Sequence, residues 1–306
     1  MSAESTPDTA VSPGPDREAP PAEGESVFVR TGEDRYEPTE HARGPWDPRA
    51  QHGGAPAALM TAALERVEPG GELPFARLHF EFLRPVPLAP LRLRTRITRP
   101  GRRVQALEAE LLADDPDQLV CRARALRILA VPGELPAHAR ELVRESAPTP
   151  LPDPEEGHGV RFALDDLDRR SFAATAMEMR FVHGRPLKGG LPDDALSAGH
   201  DPVGAAAVWM RLRHPLLPDE PTSALARVPA AADFGNGVAS VLPFDSYLFI
   251  NADLSIELDR RPVGEWIGLD ARTLLHPDGI GWAESVLHDE CGPLGRARQT
   301  LVVQPR

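Results

Sequence analysis

The stretch LHFEFLRPVPLAPLRLRTRITRPGRRVQALEAELLADDPDQLVCRARALRIL, residues 78–129, decides the fold, because residues 252–303 repeat its pattern as ADLSIELDRRPVGEWIGLDARTLLHPDGIGWAESVLHDECGPLGRARQTLVV. In both copies an apolar strand ends at an Arg-Pro pair, and three further strands follow with turns between them. Arg84 aligns with Arg261 at an offset of 177 residues. A long repeat that occurs only twice is typical of a duplicated domain rather than of a solenoid, which stacks many short units.

The duplication predicts two domains joined by a linker. Six prolines fall within residues 131–158, which we take as the linker between an N-terminal domain at 26–130 and a C-terminal domain at 159–306. Residues 1–25 contain six acidic residues and five prolines but no aromatic residue, a composition that predicts a disordered tail.

The first predicted helix, APAALMTAALERV at residues 55–67, consists almost entirely of small and apolar residues. A helix that is apolar on every side is buried on every side, and small side chains let a curved antiparallel sheet wrap closely around it. One such helix inside a long sheet, twice over, is an α+β double hot-dog fold. The other predicted elements are an extended segment at 26–37, short helices or helical stretches at 138–145 and 223–234, and strands at 74–84, 90–99, 102–114, 118–130, 160–164, 172–183, 204–213, 246–260, 265–276, 280–290 and 294–304.

Composition excludes several classes of protein. The formal net charge of −12 argues against a nucleic-acid partner, since such a protein presents a concentrated basic face. No run approaches the roughly 18 apolar residues of a membrane span, and the first residues lack the basic start and apolar core of a secretory signal. Cys121 and Cys291 are too few for a disulfide framework and are predicted to be buried, reduced thiols. We therefore expect a cytoplasmic protein without a membrane partner.

Several short motifs follow one another along the two halves in an informative order. They are Gly53-Gly54 at the start of a helix, Phe82-Leu83-Arg84-Pro85, Met177-Glu178-Met179-Arg180 followed by Pro186-Leu187-Lys188-Gly189, Asp233-Phe234, Arg261-Pro262 before Glu265-Trp266, and Gln299 on the last strand. In this order and spacing the chain resembles the acyl-CoA thioesterases with a double hot-dog fold, the type II or medium-chain group. The resemblance covers most of residues 26–306.

The resemblance implies three catalytic residues. In that family an aspartate on the second helix, a hydroxyl or amide residue on the next strand and a glutamine on the last strand hold the attacking water, and these positions match Asp233, Asn251 and Gln299. The well-known members have threonine where this chain has Asn251. Matching the aspartate of the same motif to Asp253 selects Asn251 over Ala252.

The two copies differ where this chemistry would lie. Gly53 and Gly54 begin the first helix, and eight residues after Gly53 the chain has Thr61. In the second copy Asp233 takes the place of Thr61, and eight residues before it lies Leu225 instead of glycine. Gln299 likewise has Arg124 as its counterpart in the first copy. Only one of the two pseudo-symmetric sites therefore keeps both the glycine N–H and the acid, and it would combine Gly54 of the first half with Asp233 and Gln299 of the second.

These residue types suit hydrolysis of a thioester. Backbone N–H groups at a helix start have no intrahelical partner and lie at the positive end of the helix dipole, so Gly53 and Gly54 would bind the oxyanion. Asp233 would orient the water and accept its proton, and Gln299 would fix the same water. No cofactor is required, and no metal is expected, because the ten histidines show neither an HxH nor an HExxH spacing.

Each site residue also has an ordinary structural explanation. Asp233 would satisfy a helix end, Gln299 would face solvent on a strand, and Gly53-Gly54 would permit a tight entry into the helix.

The predicted function is hydrolysis of acyl-CoA, or of a related carrier-linked acyl thioester, to the free acid and thiol, with a role in fatty acid metabolism. Two alternatives stay open: a non-catalytic protein of the same fold that binds acyl thioesters, and an enoyl-thioester hydratase or dehydratase, for which His52 is the candidate histidine. The oligomeric state also stays open. The fused halves already form a pseudo-dimer, whereas exposed outer sheet faces would suit a homo-oligomer, a dimer or a tetramer.

Overall fold

The computed structural model describes residues 25–67, 73–113, 117–131, 133, 135–159, 170–184, 203–218 and 220–306. Three sequence predictions lie outside the described residues: the tail at 1–24, the strand at 160–164 and the loop at 186–189.

The N-terminal half begins with a short hairpin, continues with a helix and ends with four long strands. These elements are β1 (Phe28–Arg30), β2 (Arg35–Pro38), α1 (Gly54–Glu65), β3 (Phe75–Phe82), β4 (Leu91–Arg99), β5 (Val104–Ala113) and β6 (Gln118–Ile128). The predicted helix and all four predicted strands of this half are confirmed to within two residues at nearly every end.

The C-terminal half repeats this plan after an exposed helix in the linker. Its elements are α2 (Ala137–Ser146), β7 (His158–Gly159), β8 (Met177–His183), β9 (Ala205–Leu212), α3 (Ala224–Ala232), α4 (Gly235–Val238), β10 (Tyr247–Asn251), β11 (Asp253–Leu258), β12 (Ile267–Leu275), β13 (Ile280–Asp289) and β14 (Gly292–Pro305).

The described strands form one sheet that runs through both halves, in the order β1-β2-β4-β5-β6-β3-β11-β14-β13-β12-β9-β8-β7. Strand β10 lies off this path and pairs with β14, and every pairing is antiparallel. The halves meet where β3 pairs with β11. His79 lies opposite Ser255, and Leu78 lies opposite Ile256. At the repeat offset of 177 residues, His79 corresponds to Ile256 and Leu78 corresponds to Ser255. The pseudo-two-fold axis therefore passes between these two neighbouring residue pairs of the sheet. The duplication is therefore built around this central strand pair.

Helix α1 is buried along most of its length, as its composition predicts. Small residues allow it to pack directly on α3: a Cβ added at Gly54 would lie 2.7 Å from the carbonyl oxygen of Ala230. Thr61, which is fully buried, donates its hydroxyl to the carbonyl of Ala57 one turn earlier. The double hot-dog fold thus places the two central helices in contact inside the sheet.

Two strand predictions were wrong in detail. The predicted strand at 172–183 begins with a π-helical turn, Phe172–Ala176, because the Ser171 hydroxyl accepts the N–H of Ala174 and starts a turn. The predicted strand at 246–260 is two strands, separated at Ala252, which both pair with β14. Apolar residues on both sides of each interruption continue the strand pattern, so the patterning alone does not reveal where the strand is interrupted.

Cys121 is buried, as predicted, but Cys291 is exposed. Cys291 lies in the turn between β13 and β14, where the chain reverses at the surface. Among the helices of the described segments, none combines the length and apolar character needed to cross a membrane.

Candidate active site

Asp233 ends helix α3, and α4 begins two residues later. Its N–H donates to the carbonyl of Pro229, and the residue is only 4% exposed. A buried carboxylate requires hydrogen-bond donors, because an unpaired charge away from water is strongly destabilising. The groups around Asp233 supply them.

Two amides of the C-terminal half contact the Oδ1 atom of Asp233. Asn251 donates from Nδ2 at 2.8 Å, and the same nitrogen donates to the carbonyl of Asp253 at 3.1 Å. Gln299 donates from Nε2 to the main-chain carbonyl of Asp233 at 3.0 Å and lies 3.4 Å from Oδ1. The structure therefore brings together the three residues that the sequence pattern singled out.

Gln299 also holds the junction between α3 and α4. Its Oε1 accepts the N–H of Asn236 at 3.0 Å, and the Asn236 side chain in turn donates to the carbonyl of Phe249 at 2.8 Å. Gln299 is 2% exposed, so the alternative of a solvent-facing strand residue is wrong. Its amide links the last strand to the backbone that carries Asp233.

Gly53 and Gly54 bring the start of α1 to the same carboxylate. A Cβ on Gly53 would lie 2.8 Å from Oδ2 of Asp233 and 2.9 Å from the ring of Phe82. Gly53 has φ −58° and ψ −27°, which any residue adopts. Glycine is therefore required here for space rather than for backbone freedom.

His52 is the residue of this cluster that the sequence analysis did not place among the catalytic residues. Its Nδ1 lies 3.0 Å from Oδ2 of Asp233 and 3.1 Å from the backbone nitrogen of Gly54. Its ring stacks on Phe234, with centroids 4.1 Å apart, and Phe172 lies beyond at 5.2 Å. The available signal was a histidine directly before two glycines at a helix start.

The two neighbours of His52 Nδ1 cannot both be its hydrogen-bond partners. If Nδ1 carries the proton it donates to Asp233, and if it lacks the proton it accepts from the N–H of Gly54. A lone pair 3.0 Å from a buried carboxylate oxygen would be repelled, so the protonated Nδ1 is favoured. In that tautomer the N–H of Gly54 has no acceptor in the cluster.

Cys121 lies close enough to Asp233 to feel its charge, yet it is no candidate nucleophile. Burial raises the pKa of the Cys121 thiol, and the nearby carboxylate of Asp233 raises it further. A thiol that remains protonated is inert, because the thiolate is the attacking form.

The pseudo-symmetric counterpart of the cluster lacks these groups. Thr61 stands for Asp233, and its hydroxyl is occupied by a main-chain carbonyl of its own helix. Leu225 stands for Gly53 and is buried, while Arg124 stands for Gln299 and its side chain is half exposed. A separate hollow of about 820 Å³ is lined by residues of the C-terminal strands such as Asp270 and includes none of the residues clustered around Asp233.

Comparison with protein families matches both halves of the chain. Residues 42–128 match the model described as the acyl-CoA thioesterase N-terminal domain, and residues 145–303 match the acyl-CoA thioesterase C-terminal domain. No curated protein matches the chain.

Solved structures share the fold at low sequence identity. A provisional thioesterase II from Thermobifida fusca YX is 19% identical with a TM-score of 0.65, over 90% of this chain and 95% of that one. A tesB protein from Mycobacterium avium subspecies paratuberculosis is 16% identical with a TM-score of 0.59, over 91% and 96%. A hot-dog protein of unknown function from Alicyclobacillus acidocaldarius is 16% identical with a TM-score of 0.63, over 91% and 95%.

Proposed function

Because the chain belongs to the acyl-CoA thioesterase family and is therefore a thioester hydrolase, we propose that it cleaves acyl-CoA, or a related carrier-linked thioester, with a water molecule activated by Asp233. The observation that carries this proposal is the meeting of the Asp233 carboxylate with the start of α1, where Oδ2 lies 3.0 Å from His52 Nδ1 and beside Gly53. A general base and an oxyanion donor thus share one small volume.

The proposed reaction proceeds by addition and elimination. Asp233 accepts a proton from water while the water oxygen bonds to the thioester carbonyl carbon, whose oxygen becomes an oxyanion. The N–H of Gly54 donates to that oxyanion, and one such donor contributes a factor of about 10²–10³. Collapse of the intermediate breaks the carbon–sulfur bond, and the thiolate leaves with the proton held by Asp233. The products are a carboxylic acid and a free thiol.

The neighbours of Asp233 have separate roles in this proposal. Asn251 holds Oδ1 and His52 holds Oδ2, so the carboxylate presents its remaining lone pairs to water in a fixed direction. Gln299 acts mainly as a positioning residue, since both ends of its amide bind the backbone of the α3–α4 junction. Asparagine thus supplies an N–H donor at the position where the resemblance implies threonine.

The test is the rate of thiol release from short-chain and medium-chain acyl-CoA. Asp233→Asn should lower kcat by about 10²–10⁴, because the proton acceptor is lost. Asp289→Asn is the matched control: Asp289 is also buried, but it accepts hydrogen bonds from Arg260 and from the N–H groups of Val263 and Cys291, away from the cluster. That variant should lose stability and keep kcat. Equal rates for wild type and Asp233→Asn would remove the proposed mechanism.

A second candidate reaction is hydration of an enoyl thioester, and the contact between His52 and Asp233 favours it. A histidine oriented by a carboxylate through Nδ1 has Nε2 available as an acid or base. Loss of the conjugated absorbance of an enoyl-CoA on incubation with the protein would support this reaction, and a constant absorbance together with thiol release would reject it.

For an acyl-CoA substrate we expect a place in cytoplasmic fatty acid metabolism.

A further inference from the structure

A second cluster of chemically capable residues lies at the junction of three distant segments. Glu25 precedes β1, His41 lies in the 3₁₀ turn Glu40–Ala42, and His214 follows β9. His41 Nε2 is 3.3 Å from Glu25 Oε2, and His214 Nε2 is 3.9 Å from the same oxygen. The two imidazole rings are 4.0 Å apart between centroids. Both histidines are buried, at 3% and 6% exposure.

Hydrogen bonding fixes the tautomer of His41. Its Nδ1 lies 2.8 Å from the hydroxyl oxygen of Thr175. That hydroxyl donates its single hydrogen to the carbonyl of Ser171 at 2.8 Å and accepts the N–H of the same residue at 3.1 Å. With that hydrogen directed at Ser171, His41 donates from Nδ1 to Thr175, which leaves a lone pair on Nε2 in a neutral ring.

The lone pair of His41 Nε2 then faces a carboxylate at 3.3 Å, an arrangement that is repulsive unless a cation lies between the two atoms. A proton on Nε2 would serve, but it would place a charged imidazolium in a ring that is only 3% exposed, and burial of such a charge is costly. Two neutral imidazoles beside a carboxylate are the form in which these groups bind metal ions.

We propose that Glu25, His41 and His214 bind a divalent transition-metal ion, with zinc as the best match. Nitrogen and oxygen ligands around tetrahedral zinc, each about 2.0–2.2 Å from the ion, are separated by roughly 3.4 Å, and the distances of 3.3 and 3.9 Å lie close to this value. Arg170 pairs with the other oxygen, Oε1, at 2.6 Å, so Oε2 is left to the metal. Thr175 orients His41 from behind, the usual arrangement for a metal-binding histidine.

The proposed ion would join the chain's N-terminal segment to the C-terminal half. Val27 and Phe28 donate backbone N–H groups to Pro215 and Leu216, immediately after His214, so the cluster lies at one end of this contact. No metal is expected from the sequence because its histidines lack short spacings such as HxH, whereas these ligands come from three segments far apart in the chain. None of the three proposed ligands belongs to the cluster around Asp233, so the ion is not needed for the proposed hydrolysis.

The test measures metal directly on the full chain. Protein stripped with a chelator and then dialysed against micromolar Zn²⁺ should retain one ion per chain, and Co²⁺ in its place should give the visible absorption of a tetrahedral site. His41→Gln and His214→Gln should each weaken zinc binding by at least about 100-fold. Thr175→Val, which keeps all three ligands, should weaken it by about 10–100-fold.

His276→Gln is the matched control, because His276 also lies beside a carboxylate, Asp278 at 3.3 Å, but on the surface. It should bind zinc as wild type does. Circular dichroism before and after stripping shows whether each variant is folded when it is measured. The proposal is overturned if wild type retains no stoichiometric zinc, or if His41→Gln and His214→Gln, folded, both bind zinc as tightly as His276→Gln.

Discussion

Replacement of Gly54 by alanine probes the contact between the start of α1 and the end of α3. The added methyl group would lie 2.7 Å from the carbonyl oxygen of Ala230 and 3.1 Å from the ring of Phe172. Ordinary contact between such atoms needs roughly 3.3–3.5 Å. Because the carbonyl belongs to the backbone of a buried helix, one helix must move by about 0.6 Å or more. That movement displaces the N–H of Gly54, at the start of α1, relative to Asp233 at the end of α3.

Two opposing effects set the magnitude. Overpacking a well-filled core costs about 1–3 kcal/mol, whereas alanine in place of glycine favours a helix by about 0.5–1 kcal/mol. The clash is with backbone and should dominate, so we expect a net loss of about 1–2 kcal/mol and a fall in Tm of roughly 2–5 °C. Displacing one oxyanion donor should lower kcat by about 10–10³-fold.

The assay is thermal unfolding together with acyl-CoA hydrolysis, and Gly237→Ala is the control. Gly237 lies in α4, and a Cβ there would have no neighbour within 4 Å. That variant should be neutral or stabilised by up to about 1 kcal/mol with unchanged kcat. The reasoning is refuted if Gly54→Ala matches Gly237→Ala in both Tm and kcat.

Three further predictions concern single residues, namely Asn251, the two cysteines and His288. In the wild type the amide nitrogen of Asn251 lies 2.8 Å from Oδ1 of Asp233, so Asn251→Asp places a second carboxylate beside the first. The acid limb of the pH–rate profile should then move to higher pH, whereas Asn251→Thr should leave it in place. Identical acid limbs in both variants would contradict this role of Asn251. Cys291 is exposed, whereas Cys121 is buried and burial raises the pKa of its thiol. A thiol reagent should therefore label one cysteine in the folded chain and two after unfolding. Rapid labelling of both cysteines in the folded chain would contradict the burial of Cys121. Burial lowers the pKa of His288, so the unfolded chain takes up this proton at higher pH than the folded chain does, and the free energy of unfolding falls as the pH drops below 6.5. In urea unfolding, His288→Leu should lose less stability than wild type between about pH 7.5 and about pH 5. Equal losses in the two proteins would refute this expectation.

The elements that the sequence predicted well are those whose signal is local. Helix α1 follows from an uninterrupted run of small and apolar residues, and β4 follows from strict alternation along residues 91–97. The turn at Phe172–Ala176 was missed because one local hydrogen bond from Ala174 to the Ser171 hydroxyl starts it, and the break at Ala252 was missed because it depends on a distant strand. The N–H of Ala252 donates to the carbonyl of Thr300, almost fifty residues later in the chain.

The site was predicted only in part for the same reason. Asp233, Asn251 and Gln299 were found through a family resemblance and the asymmetry of the two copies, and the structure places their side chains within hydrogen-bonding distance. His52 was interpreted as the candidate base of an alternative reaction. Its contact with Asp233 joins residues from different halves, and no periodicity in either half encodes such a contact.

The sequence by itself determined that the chain is a duplicated domain, because a repeat and its apolar periodicities are linear properties of the residues. It also determined that the copies are unequal, since glycine and aspartate survive in different halves. Only the tertiary structure decided which side chains meet. Pairing of β3 with β11 and contact between α1 and α3 bring His52 within 3.0 Å of Asp233. Backbone hydrogen bonds from Val27 and Phe28 to Pro215 and Leu216 hold the segment that places Glu25 beside His41 and His214. Those distances depend on how two helices and one sheet pack, which is a property of the whole core rather than of any segment.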